Sequence, residues 1–204
     1  MPDTKTRLLE AAVRVIRTKG YAATTVDDLC ATAGVSKGSF FHYFKSKDGL
    51  ALAAVGHFST MAAGLFAAAP YHQAADPLER VLGYVDFRVS ILSGALWDYT
   101  CLLGTLVQET YDTHPDIRNA CERGLSSHIG ELTRDLALAR QLYCPTAEWT
   151  AESVGTFMQS VLQGSFIFAK ATQSAAVARD CLAHLRRYLE MLFGQSSTVE
   201  RKET

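Results

Sequence analysis

Between residues 25 and 47 the chain carries short polar and basic side chains whose types and spacing suit phosphate binding and contact with base edges. Thr25 and Ser36 each precede a helical stretch, so a hydroxyl and a set of free backbone N–H groups stand together at each helix start. Lys37 and Lys47 fall in the first turn of a helix, where the macrodipole disfavours positive charge by about 0.3–1 kcal/mol. A phosphate at each helix start reverses that penalty. His42 and Tyr43 add donors, while Gly38 and Ser39 leave room for close approach to base edges. Singly, each is an ordinary cap or solvated lysine; together they outline a clamp on a DNA backbone.

A second candidate for chemistry is Cys101, which follows the loop SGALWDYT and opens an apolar helix. A thiol near a helix N-terminus is placed to react with oxidants or electrophiles. Lys170, a lone base in the apolar stretch 164–171, could lie nearby and stabilise a thiolate. The alternative is plain packing, with Cys101 a small buried residue and Lys170 reaching to solvent. Trp97, Tyr99, His128, Tyr143 and Trp149 offer an aromatic lining for a small aromatic or hydrophobic compound, with an ordinary core as the competing reading. Enzyme chemistry finds no support: there is no nucleophile motif, no glycine-rich phosphate loop and no carboxylate pair at acid/base spacing. No CxxC or Cys/His pairing suggests a metal, and no cofactor is expected.

The elements that must position these residues are helical, and no stretch alternates apolar and polar residues long enough for a strand. The fold class is therefore all-α. Leu8, Leu9, Ala12, Val13 and Ile16 recur at helical spacing over about 4–19, with Arg7, Glu10, Arg14 and Arg17 on the opposite face. Thr25 with Asp28 predicts a capped helix over about 26–33, Gly34 a left-handed stop, and Ser36 the cap of a short helix carrying Phe40, Phe41 and Phe44. This is a helix-turn-helix at about 25–44. A connecting helix follows at about 47–68, then helices near 77–92, 99–110, 115–140, 147–172 and 176–193. The boundaries predicted are 1–50 for a small first domain, 51–194 for a larger second one and 195–204 for a flexible tail.

The chain has 204 residues, 48% of them apolar, and a formal net charge of −1. Residues 1–50 hold eight basic and five acidic side chains, so a mildly basic module precedes a mildly acidic one. Five scattered cysteines read as reduced thiols. The start lacks an apolar leader and no window resembles a membrane span, which points to a cytoplasmic protein with no membrane partner.

The block T24-T25-V26…A33-G34-V35-S36-K37-G38-S39-F40-F41-H42-Y43-F44-K45-S46-K47, with Gly20 before it, resembles the tetracycline-repressor (TetR/AcrR) family of bacterial transcription regulators. The resemblance covers about residues 4–55. It implies a three-helix DNA-binding domain, a helical ligand-binding and dimerisation domain, and repression relieved by a small-molecule inducer. By position, the family's DNA contacts fall on Thr25, Ser36, Lys37, Gly38, Ser39, Phe41, His42, Tyr43 and Lys47. Phe41 departs from the family's usual tyrosine and lacks its phosphate-binding hydroxyl. One recognition helix meets too few bases, so the expected reader is a homodimer on a pseudo-palindromic double-stranded operator. The resemblance puts its interface on the last two helices, where Phe157, Met158, Val161, Phe168, Leu185 and Leu189 supply apolar surface; the alternative is that this surface is core. The C-L-L-G run from Cys101 is similar to a subgroup that includes repressors of electrophile- and oxidant-detoxifying genes. A helical protein without DNA binding is the remoter alternative.

Overall fold

The computed structural model describes residues 2–194, so the expected tail at 195–204 lies outside the described residues. Ten α-helices and one short 3-10 turn (Pro70–Gln73) make up its regular structure, without strands among the described residues. The helices are α1 (Thr4–Lys19), α2 (Val26–Ala33), α3 (Lys37–Tyr43), α4 (Lys47–Ala67) and α5 (Pro77–Ser90). They continue as α6 (Leu96–Tyr99), α7 (Leu102–Thr110), α8 (Pro115–Tyr143), α9 (Ala151–Thr172) and α10 (Ala176–Leu192).

Local capping chemistry sets most of these boundaries. The Thr25 hydroxyl accepts the Asp28 N–H while the Asp28 carboxylate accepts the Thr25 N–H, a reciprocal cap on α2. Ser36 and Ser46 accept the Ser39 and Gly49 N–H groups, starting α3 and α4. Gly34 closes α2 at φ 62°, a backbone that residues with a Cβ rarely adopt. Two starts differ from expectation. The helix expected over 99–110 is broken, because the Asp98 carboxylate folds back onto the Ala95 N–H to make α6 a single turn, and Thr100 and Cys101 are extended. The helix expected from 147 begins at Ala151, since Thr150 and Ser153 form the cap and the preceding residues are a turn.

The chain divides into two compact units, Met1–Ala68 with Ser93–His128, and Ala69–Leu92 with the chain from Ile129 onward. Packing thus does not divide at residue 50. In the first unit α1 packs on α2, α4, α6 and α7, around a core that includes Leu8, Ile16, Leu29, Phe40, Leu50, Leu102 and Leu106. Burying such side chains contributes roughly 1.5–3 kcal/mol each, enough for a small module to hold a short recognition helix in place. In the second unit α10 packs on α9 and α5 around Leu78, Met158, Leu162, Leu182 and Leu189. Two polar contacts order it: the Gln159 amide donates to the Tyr84 hydroxyl at 3.0 Å inside the core, and Arg80 pairs with Asp135 at 2.8 Å.

By length and apolarity alone α4 could cross a membrane, contrary to the sequence expectation that no segment resembles a span. Alanines raise its hydropathy, and its Leu50, Ala51, Ala54 and Val55 face is occupied by the core of the first unit. Only that face is buried; the rest of the helix carries polar residues such as Lys47, Asp48, His57 and Thr60 together with exposed Leu52, Met61 and Leu65.

Candidate nucleic-acid interface

Only Phe40 of α3 is buried, its ring edge-on to Phe41 at 5.1 Å and near Phe44 at 6.2 Å. The helix-turn-helix therefore presents its recognition helix on one aromatic anchor, with every other α3 side chain turned outward or half outward. Among the expected contacts, Thr25, Ser36, Lys37, Gly38, Phe41, His42 and Tyr43 are exposed, and Ser39 and Lys47 are half-buried. All nine lie at the start of α2, on α3 or at the start of α4, within the first unit.

Two observations single out this face. Phe41 is 55% exposed and Tyr43 43%, apolar surface that the chain itself leaves uncovered. A Cβ placed on Gly38 would meet nothing closer than the Ser36 hydroxyl oxygen at 3.7 Å, and the residue does not need left-handed backbone. Nothing inside the protein crowds Gly38, which leaves the surface of α3 low at that point.

The charges on this face are partly held in place. Lys37 pairs with Asp27 of α2 at 2.8 Å in solvent, which raises the lysine pKa through that hydrogen bond. Asp28 lies well below the usual carboxylate range because Lys19 and Thr25 donate to it. Lys47 is less free than a surface phosphate contact: its ammonium donates to the Tyr21 carbonyl at 3.1 Å and sits 4.2 Å from the Tyr21 ring centroid.

Tyr21 leads to residues that the sequence pattern did not single out. Its N–H and that of Ala22 donate to the two carboxylate oxygens of Glu109 on α7, at 3.0 and 2.8 Å. Its hydroxyl donates to Asp48, and the His114 ring meets it edge-on at 5.3 Å. Burial and the Asp48 carboxylate push the Tyr21 phenol far above its usual pKa. Gly20 leaves room for Glu109, since a Cβ there would stand 2.6 Å from a carboxylate oxygen. On the other side of the module, Arg7 donates to the carbonyls of Ala33 and Gly34, fastening α1 to the turn before α3. No local signal links Tyr21 to Glu109, which lie 88 residues apart.

The seven expected sensor residues are not gathered within either unit. Trp97, Tyr99, Cys101 and His128 belong to the first: Trp97 is half-buried with the Arg14 guanidinium 4.7 Å from its ring, Tyr99 is buried, and His128 packs on Phe66 at 4.7 Å. Cys101 is half-buried and caps α7, its sulfur accepting the Gly104 N–H at 3.5 Å. Tyr143, Trp149 and Lys170 belong to the second. There Tyr143 donates to Asp76, Trp149 meets Phe193 edge-on at 5.3 Å, and Lys170 is half-buried on α9. The cation near Cys101 in its own unit is Arg17, expected on the solvent face of α1 but 8% exposed, because α6 and α7 close over that side of the helix. Cys121, fully buried, has its thiol pushed up to about 12 by burial and by nearby Cys101.

The expected dimer residues divide as well. Phe157 and Phe168 are 42% and 60% exposed and Val161 is half-buried, and Phe157 packs beside Tyr188 of α10 at 4.9 Å. Met158, Leu185 and Leu189, expected at the interface, are instead buried in the protomer's own core and offer a partner no surface. Helical spacing had merged two apolar stripes into one.

Comparison with known proteins agrees with this geometry. Residues 8–54 match the family described as bacterial regulatory proteins, tetR family, and residues 77–184 match the LmrA/YxaF-like transcriptional regulator C-terminal domain. The HTH-type transcriptional repressor NemR of Escherichia coli is 25% identical over 197 residues, covering 92% of this chain and 94% of that protein. The crystal structure of reduced E. coli NemR superposes with a TM-score of 0.73 at 26% identity, over 90% of this chain and 95% of that one. A TetR regulator from Chloroflexus aurantiacus shares the fold with a TM-score of 0.79 at 21% identity, over 91% and 93% of the two chains. With the helix-turn-helix and the C-terminal helical region both matched, the chain belongs to the TetR family of bacterial transcriptional regulators.

Proposed function

We propose that this regulator is a cytoplasmic, dimeric repressor that reads a pseudo-palindromic operator through α3 and is released by a small hydrophobic, aromatic or electrophilic inducer. The observation that carries the reading is α3 itself, anchored by Phe40 alone with Lys37, Phe41, His42 and Tyr43 exposed around Gly38. Lys37, Ser39, Phe41, His42 and Tyr43 supply the contacts around it, with Phe41 packing on a sugar or a thymine methyl in place of a hydroxyl contact. Thr25, Ser36 and Lys47 hold the backbone from the helix starts. The partner protomer docks on the exposed face of Phe157, Val161 and Phe168. Inducer binding shifts α4 and alters the separation of the two recognition helices, so that both no longer fit one operator.

A mobility-shift titration against salt tests the operator reading. Lys37→Ala is expected to weaken operator binding by about tenfold and to reduce the salt slope by about 1. Absence of wild-type binding at low salt sinks the reading and favours a helical protein that does not engage DNA.

A second reading, a covalent switch at Cys101, draws support from the position of that thiol at the head of α7 and from the likeness to NemR. In it an oxidant or electrophile modifies the sulfur at the head of α7. Cys101→Ser is expected to abolish derepression by quinones, aldehydes or hypochlorite in a reporter strain. Unchanged induction in that variant rejects the covalent switch and leaves reversible ligand binding.

A further inference from the structure

Arg17 combines three properties that do not normally coexist. It is nine-tenths buried, its Nε–H has no hydrogen-bond partner, and no carboxylate forms an ion pair with it among the described residues. Its guanidinium rests 5.2 Å from the Phe58 ring, with Asp98 and Cys101 within electrostatic reach. Asp98 supports that charge only from a distance, since its exposed carboxylate accepts the Ala95 N–H and makes no ion pair with Arg17. Burial lowers the Arg17 pKa only to about 10, so the side chain stays charged at neutral pH. Thr100, next to Cys101 in the chain, is fully enclosed, and its hydroxyl also lacks a partner. A buried guanidinium N–H and a buried hydroxyl left unsatisfied both oppose folding. They fit a site that is completed by something with negative charge and several acceptor oxygens.

We propose that Arg17 and Thr100, beside Cys101, form a binding site for a small organic monocarboxylate. A carboxylate has one charge to match one guanidinium, two oxygens to take its forked N–H groups, and a further lone pair for the Thr100 hydroxyl. A phosphate dianion would leave net negative charge inside an apolar wall. Phe58, on which the guanidinium rests, is the aromatic neighbour available to the ligand's organic part. The site joins α1 of the DNA-binding module to the α6–α7 turn, so its occupant bears directly on a helix that carries the reading head. This inference needs no reactivity at Cys101 and no operator, and its test reads binding alone; its failure leaves the repressor reading intact.

The test is the thermal midpoint of the full chain, with reductant, in sodium formate, acetate, propionate or benzoate against sodium chloride at equal ionic strength. At least one carboxylate is expected to raise the wild-type midpoint by about 3–6 °C at about ten times its Kd. The matching neutral amide is expected to do nothing. Arg17→Met keeps the packing on Phe58 and removes the charge; it is expected to melt at or above the wild-type midpoint in chloride and to ignore carboxylates. In Cys101→Ser the carboxylate shift persists, because the anion comes from solution. The proposal is overturned if no carboxylate exceeds chloride, if Arg17→Met shifts as wild type does, or if Arg17→Met melts several degrees lower in chloride. It is equally overturned if only oxidation of Cys101 stabilises the protein, which assigns the site to the cysteine's own oxygenated anion.

Discussion

Replacing Phe40 with alanine abolishes operator binding while leaving most of the helical content standing. α3 has seven residues, too few to be helical alone, and Phe40 is its one buried side chain. Truncating a fully enclosed phenylalanine costs about 3–5 kcal/mol, through lost transfer energy and the cavity left behind. The loss falls where the recognition helix is attached, so the equilibrium constant for holding α3 in place drops by more than about a hundredfold. The second unit, with its own core of Leu78, Met158, Leu162 and Leu189, is untouched. Urea denaturation followed by circular dichroism, with a mobility shift on the same preparations, measures both effects. Phe40→Leu retains most of the binding; a Phe40→Ala protein with near wild-type affinity removes the ring from its assigned role.

Glu109→Ala is expected to loosen the reading head without touching any residue that faces DNA. One carboxylate takes both the Tyr21 and Ala22 N–H groups, and hydrogen bonds to a charged group contribute about 1.5–3 kcal/mol each. Ala22 is exposed and recovers a water, whereas the Tyr21 N–H is half-enclosed and stays unsatisfied. A net loss of about 2–4 kcal/mol in the first unit follows. Glu109→Gln keeps one acceptor oxygen and loses about half as much. Operator affinity is expected to fall at least about tenfold, since the α1–α2 turn also anchors Lys47. Urea midpoints and operator affinity for the three proteins provide the measurement. Unchanged midpoints would reduce Glu109 to a bystander.

What the sequence made legible follows from the range of the interactions involved. Thr25, Asp28, Gly34 and Ser36 act within three or four residues, so the helix-turn-helix and its boundaries could be read directly. Side chains that answer to distant elements could not. Arg17 has the spacing of a solvent-facing residue on α1 and becomes buried only because residues 96–110 return to cover it. Glu109 sits on an unremarkable apolar helix until the fold sets it against Gly20 and Tyr21. On α9 and α10 periodicity identifies apolar stripes but not which one meets the protomer's core. Met158, Leu185 and Leu189 therefore turn inward, while Phe157 and Phe168 from the same expected set stay exposed. At Cys101 the Asp98 carboxylate ends one turn of helix, and the cysteine becomes a cap where unbroken helix was expected.

The ion pair between Lys37 and Asp27 has a consequence for searching a genome. Any random stretch of duplex offers phosphates, and those sites outnumber operators by orders of magnitude. Because Lys37 already has a counter-ion on its own chain, a phosphate must compete with Asp27 for it, which discounts every sequence-blind encounter. On the proposed reading, Asp27 thus trims the electrostatic, sequence-blind grip that Lys37 lends to any duplex, and leaves the choice among sequences to the groups that meet base edges.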